Sequence, residues 1–252
     1  MQTFTRNLRS DTYRFIHSAL MPIHLLVPLL GAGIFLLYYN TSRWDEILKV
    51  IAYLQALALV FPFLTGIIVV MASEQELNAG GFQLMLAWPG KRQTPHFSKL
   101  SVLLLFGLLA CVVAVCGFGV VFTATGNTLL PMSLFWQAAL LLFLGNMPLY
   151  LLEYLLSFSL GKGIGLGLGL IGSLLSALLI TGLGDGIWPF LPWGMATRYC
   201  TILVEANTKG LAFLEASGVK TSLAVFAVYC LVLLSVLFLW SNRWEGRKDG
   251  TE

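Results

Sequence analysis

Charge is what this sequence has least of. Only 11% of its 252 residues are Asp, Glu, Lys or Arg, while 58% are hydrophobic. Soluble domains carry about 25% charged residues, so this chain cannot clothe itself in polar surface, and a water-soluble globule is excluded. Cysteine is scarce too. Cys111, Cys116 and Cys230 fall inside apolar blocks and only Cys200 is expected outside one, which implies no disulfide framework and offers no metal-ligand spacing. Histidine occurs at positions 17, 24 and 96 alone. Hydrolysis inside a membrane needs a nucleophile or metal held beside a base. None of these histidines is placed to meet Ser173 or Ser176, and there is no HExxH helix, no pair of buried aspartates and no Glu-Glu pair. No catalytic residue, metal or cofactor is therefore expected in this chain. A net charge of +3 is too small to suggest a nucleic-acid partner.

The apolar residues come in blocks: 19–39, 50–72, 100–124, 135–157, 163–181 and 221–241. Each approaches the ~20 residues a helix needs to cross ~30 Å of hydrocarbon. Lipid offers no partner to backbone amides, so only helices or closed barrels span it, and the ~10-residue alternation of a barrel is missing. The expected fold is a single all-α polytopic membrane domain over residues 1–252 with six transmembrane helices. The first block is long, follows an 18-residue polar lead and has no evident small-residue cleavage site, so it is expected to remain as a span.

An even number of spans puts both termini on one side. That side carries Arg6, Arg9, Arg14, Lys91, Arg92, Lys99, Lys162, Arg243, Arg247 and Lys248, and the other carries Arg43, Lys49, Arg198, Lys209 and Lys220. The positive-inside rule then predicts cytoplasmic termini. Trp44, Trp88, Trp136, Trp188, Trp193, Trp240 and Trp244 all fall near expected span ends, where amphipathic rings prefer to sit. In residues 4–17, Phe4, Leu8, Phe15 and Ile16 share roughly one face among arginines. That suits either a helix lying on the anionic leaflet or a plain basic flank.

Between the second and third spans, Ser73-Glu74-Gln75-Glu76 has the form of a capping box. It predicts that the second span breaks at Ser73 and a new helix begins. Leu77, Gly81, Leu84 and Trp88 would share one face of that helix, Pro89-Gly90 would end it, and Thr94-Pro95 would start the next one. A short cytoplasmic helix of this kind could be pushed by a soluble partner or could simply lie against the headgroups. In the fourth span Asn146, Tyr150, Glu153 and Ser157 form a polar stripe that should face protein or a wet cavity. Glu153 lies about 6 Å by helical rise from the expected cytoplasmic end, so packing or snorkelling is favoured over an ion or substrate site. Pro148 should kink this helix.

The fifth span opens on Gly161, Gly163, Gly165, Gly167, Gly169 and Gly172. The overlapping GxxxG pairs 161/165, 163/167 and 165/169 predict close helix packing on two faces. Gly167–Gly172 also matches GxGxxG, but no strand precedes it, and Gly161-Lys162-Gly163 lacks the rest of a phosphate loop. Residues 182–193 are too apolar for a solvated loop and too broken by Gly and Pro for a span. They should dip back into the outer leaflet, with Asp185 and Arg198 either paired or separately in water.

The stretch Met71–Pro89 with Phe97-Ser-Lys-Leu100, the lead Ser10-Asp-Thr-Tyr…His17-Ser, and the run Gly161–Gly169 through Thr181-Gly-Leu-Gly-Asp-Gly-Ile-Trp-Pro189 resemble lantibiotic self-immunity ABC permeases. These belong to the ABC-2 (type V exporter) class, and the last two stretches are similar to the MutG-type subunit. The resemblance implies an assembly with a dimeric ABC ATPase, which binds the ATP and Mg, and with a second, MutE/EpiE-type permease. Such an assembly removes a lantibiotic peptide from the cell membrane of a producing, Gram-positive bacterium. It also implies that Glu74, Glu76, Leu77, Asn78, Gly80, Phe82, Gln83 and Leu84 lie on a coupling helix seated on the ATPase. Gly81 departs from the family pattern as a second glycine that would soften that helix. Short re-entrant helices between spans five and six are implied as well. No settled substrate residues carry over, which leaves Asn146, Tyr150, Glu153, Asp185 and Trp188 as cavity candidates. The alternative functions are a proton-coupled secondary transporter using Glu153 and a membrane scaffold that sequesters a peptide.

Overall fold

The computed structural model describes residues 2–247; Lys248, counted above toward the topology, lies outside the described residues. The chain opens with α1 (Gln2–Ile16) and the first span, α2 (Leu20–Thr41). Then come α3 (Glu46–Asn78), the one-turn α4 (Gln83–Leu86), α5 (Gln93–Ala124) and α6 (Met132–Leu160). After α7 (Lys162–Leu179), two 3-10 turns at Gly182–Gly184 and Trp188–Phe190 lead into α8 (Pro192–Lys209), α9 (Leu211–Ala216) and α10 (Val219–Arg243). Among the described residues there is no strand, and α2, α3, α5, α6, α7 and α10 are each long and apolar enough to cross a membrane.

Helices α3 and α5, of 33 and 32 residues, are each roughly 50 Å long at 1.5 Å per residue. That exceeds the ~30 Å hydrocarbon thickness, so both project beyond it. The projecting turns at the end shared by the two termini, the terminal end, carry Glu74 and Glu76 of α3 and Lys99 of α5. At the distal end, Asp45 caps α3 by accepting from the Leu48 amide, and Glu46 accepts from the Leu129 amide.

The centre of the bundle is α6, packed against α3, α5 and α8. Its second half, from Gly145 to Phe158, has no exposed residue, as befits a helix surrounded by others, while Trp136, Leu140 and Leu144 leave an exposed stripe along its first half. By contrast α2 and α10 leave most of their apolar surface on the outside. Helix α8 is set into the bundle. The Ala196 backbone lies where a side chain on Gly145 would begin, and Trp193 lies against Gly172. Cys200, expected outside the apolar blocks, is therefore buried against α6, its Sγ 3.9 Å from the Ala138 carbonyl. Composition could not reveal this, because α8 is polar enough to read as external and is buried by packing instead.

Helix α1 is no free basic flank. It lies along α5, with Phe15 buried in a stack on Phe106 at 4.1 Å and Asp11 buried as well. Tyr13 and Ile16 stay exposed.

Candidate functional site

Between α3 and α5 the expected break at Ser73 does not occur: α3 runs on through Ser73 and Glu76 to Asn78. The capping box fails because both side chains are taken elsewhere. Ser73 Oγ donates to the Ser157 carbonyl of α6 at 3.3 Å, and the Glu76 carboxylate lies against two cations. The single helix expected over 74–88 is also absent. The chain turns at Gly80, Gly81 and Phe82, with φ of 114°, 61° and 65°, and only Gln83–Leu86 is helical beyond the turn. Thus Gly81 ends the helix rather than softening it. Helix α5 begins at Gln93, which puts Pro95 in its first turn, close to the predicted start.

Phe82 is the one described non-glycine residue with positive φ, a conformation that costs about 1–2 kcal/mol. Burial offsets that cost. Phe82 is 1% exposed, with the Trp244 ring 5.0 Å away and Phe158 6.1 Å away. Met85 is likewise buried. The sides of this connection facing away from the bundle are Asn78, Gly80, Gly81, Gln83, Ala87 and Leu84, the last 60% exposed. Of the residues expected on the coupling helix, then, Glu76 and Phe82 point into the protein, Leu77 and Glu74 are half-buried, and Asn78, Gly80, Gln83 and Leu84 face outward.

Beneath that connection lies a buried ion network. Glu76 Oε1 is 2.6 Å from Lys99 Nζ and 2.8 Å from an Arg14 guanidinium nitrogen. Asp11 is 3.2 Å from Arg14 and 3.7 Å from Lys99, and its second oxygen accepts from Ser98 Oγ. Two anions and two cations balance, which is the condition for burying charge without a prohibitive penalty. A second tie joins the C-terminal segment to the same end. Arg247 bonds Glu74 at 2.6 Å and the Ser157 carbonyl at 2.9 Å, with its guanidinium 5.7 Å from the Phe82 ring. Sequence reasoning gave Arg14, Lys99 and Arg247 no ion-pair partner. One available clue was that Asp11 is the only acidic residue before Asp45, hence a ready partner for the surrounding cations.

The polar stripe of α6 is buried throughout. Asn146 donates to the Leu142 carbonyl of its own helix, and Tyr150 fills the space that Gly107 leaves open on α5. Glu153 does not snorkel. It is 2% exposed, its Oε1 faces Gly66 of α3, and its Oε2 has no hydrogen-bond partner. Here α3 and α7 meet almost backbone to backbone. A Cβ on Gly66 would lie 3.0 Å from the Gly165 carbonyl oxygen and 3.3 Å from Gly169 Cα. The glycine seam is thus one face, Gly165, Gly169 and Gly172. Gly163 and Gly167, expected to pack as well, have nothing within 4 Å of where a Cβ would lie, and Gly161 instead makes the φ 98° turn between α6 and α7. Asp185 and Arg198 are paired at 2.8 Å, and Arg198 also donates to the Leu179 and Thr181 carbonyls at the end of α7. Trp188 is buried with Met195 and Tyr199. No group of three or more His, Cys, Asp or Glu side chains among the described residues could hold a metal.

The arrangement is that of a membrane bundle with a structured, charge-tied end, and comparison with known proteins bears on what such an end serves. Residues 13–183, about two-thirds of the chain, match the family described as ABC-2 family transporter protein. No curated protein and no solved structure matches the chain. The chain belongs to the ABC-2 transporter family: it is a multi-pass membrane permease component, not itself catalytic, of the kind that works with an ABC ATPase in the lipid bilayer.

Proposed function

We propose that this permease is the MutG-type subunit of a heteromeric ABC exporter that removes lanthipeptide antimicrobials from the membrane of the bacterium producing them. Its partners are a separate ATPase dimer and a second, MutE/EpiE-type permease. The lanthipeptide reading is supported by the likeness of the Gly161–Gly169 and Thr181–Pro189 runs to that subunit. The terminal end is cytoplasmic on this reading, with Arg6, Arg9, Lys91, Arg92, Lys162 and Arg243 on the side the positive-inside rule requires.

The observation that carries the coupling role is the outward face of the 78–87 connection, where Leu84 stands exposed on a helix whose opposite side is anchored by Phe82 and Met85. An exposed leucine on a well-anchored turn gives a soluble partner an apolar contact. Closure of the ATPase dimer would then push on α4 and be felt in α3, α6 and α10, while the peptide leaves through a cavity formed with the second permease.

The test uses Leu84→Glu with Gln83→Ala, which leaves the buried anchors untouched. Co-purified ATPase should fall by about tenfold or more, the factor for losing one buried leucine contact, and peptide tolerance should be lost at normal expression. Undiminished ATPase association would remove α4 as the contact. Tolerance that persists with a hydrolysis-dead ATPase would remove the exporter reading itself.

A further inference from the structure

Although consecutive in the chain, α2 and α3 touch only lightly; α2 leans on α5 instead. The gap between them is an apolar crevice of about 190 Å³. Val27 and Gly31 line it on α2, Val60 and Leu64 on α3, and Ala110 and Ala114 of α5 form part of its floor. These positions lie near the middle of their spans, at hydrocarbon depth. Leu26, Leu30 and Ile34, beside the crevice, are exposed on the outer surface of α2, and Val60 is exposed on α3. The mouth of the crevice therefore opens on an exposed apolar face at that depth.

We propose that this crevice binds one acyl chain of a membrane phospholipid. Three observations name that occupant. What lies outside an apolar opening at mid-membrane is acyl chain. The walls offer almost nothing to a peptide backbone, whose amides would go unpaired there at considerable cost; of the two hydroxyls on them, Thr65 already donates to the Phe61 carbonyl and Tyr150 is bonded to Thr65. Third, the crevice has one unmet polar group, and it lies at one end. His24 is 4% exposed, its Nδ1 donates to the Leu20 carbonyl at 2.7 Å, and its Nε2 has no partner. His24 sits about one turn from the terminal-end start of α2, where the polar half of a lipid begins. An apolar chain along the crevice with polar atoms toward His24 matches that distribution. This assignment does not depend on the lanthipeptide reading.

The test is photolabelling of the full-length chain in nanodiscs with a phospholipid bearing a diazirine at mid-chain, followed by peptide mapping. Residues 23–35 and 56–68 should label well above the equally exposed apolar segment 228–239 of α10. Gly31→Leu places a side chain where a Cβ meets nothing within 4 Å, so it should fold normally and cut crevice labelling by about tenfold, the factor for excluding about two methylenes. Gly33→Leu is the matched control, equally unobstructed but not on the crevice, and should leave labelling unchanged. Should Gly31→Leu elute abnormally, Val60→Phe at the mouth makes the same demand. Uniform labelling of α2, α3 and α10, or undiminished crevice labelling in a folded Gly31→Leu, overturns the proposal. So does an apolar diazirine peptide that labels the crevice where the lipid does not.

Discussion

Replacing Glu76 with alanine should be among the most destabilising single changes at the terminal end. Glu76 is 1% exposed and holds Lys99 at 2.6 Å and Arg14 at 2.8 Å. At an effective dielectric of about 20, a pair near 2.7 Å attracts by about 6 kcal/mol, much of it cancelled by the several kcal/mol needed to strip water from each ion. Removing the anion keeps that desolvation cost and loses the attraction. Lys99 is then left with Asp11 alone, 3.7 Å away. The expected loss is about 3–5 kcal/mol, with most of it assigned to Lys99 because the Arg14 side chain is one-third exposed and can turn to water. For a chain of this size each kcal/mol moves the melting midpoint by about 2–4 °C, so a drop of at least about 6 °C is expected in detergent, read by size-exclusion fluorescence after heating. The decisive comparison is Glu76→Ala with Lys99→Met. Removing both charges should restore a large part of the loss, because no orphan ion remains. If Glu76→Ala melts within about 2 °C of wild type, or if the double variant is merely additive, the network is solvated and contributes little.

The glycine seam predicts opposite outcomes at neighbouring positions. Gly66→Leu should block the α3–α7 approach and abolish folded protein, whereas Gly167→Leu, facing open space in this chain, should leave the purified chain's melting midpoint unchanged or slightly raised. At the distal end, Asp185→Asn should change stability by no more than about 1 kcal/mol, since Asp185 is 69% exposed and exposed pairs contribute little. Arg198→Ala should cost more by the same melting assay, because it also frees the Leu179 and Thr181 carbonyls. Finally, Arg247→Ala should speed proteolysis at the 79–82 turn, since Arg247 ties the C-terminal segment to Glu74 and Ser157.

The spans were legible because lipid imposes one rule on every backbone amide, and a run such as 100–124 satisfies it with no reference to its neighbours. Their ends were less so. Ser73 and Glu76 have the spacing of a cap, but a cap and a tertiary contact compete for the same oxygens, and the winners here, Ser157 and Lys99, lie 84 and 23 residues further along. Nothing local reports such partners. The same holds for α1: Asp11 reads as one acid among arginines until Ser98 and Lys99 are brought beside it. Among the glycines, spacing identified the seam but could not choose its face, because the 163/167 and 165/169 pairs are equivalent until α3 is placed. Helix α8 was the hardest case. Gly and Pro marked residues 182–193 as irregular, yet the burial of Cys200 depends on Gly145 leaving room for the Ala196 backbone, which is a property of α6.

These ties also bear on how a push at α4 would travel. Four residues are too few for a helix to hold its shape alone, so α4 is only as stiff as its anchors. Phe82 fixes one end against Phe158 of α6 and Trp244 just beyond α10, and Arg247 closes over the Phe82 ring while gripping α3 through Glu74. Glu76, six residues before Phe82, is held by Lys99 of α5 and Arg14 of α1. Five helices thus meet the connection through buried or half-buried contacts, and none of them can shift at this end without breaking an ion pair or an aromatic contact. Force applied at Leu84 is therefore expected to displace the ends of α3, α5, α6 and α10 together rather than to bend a loop. Loosening one tie, as in Arg247→Ala, should uncouple ATP hydrolysis from transport before it weakens ATPase binding. Lost binding with intact coupling ratio would instead mean that the ties serve only to fold the end of the bundle.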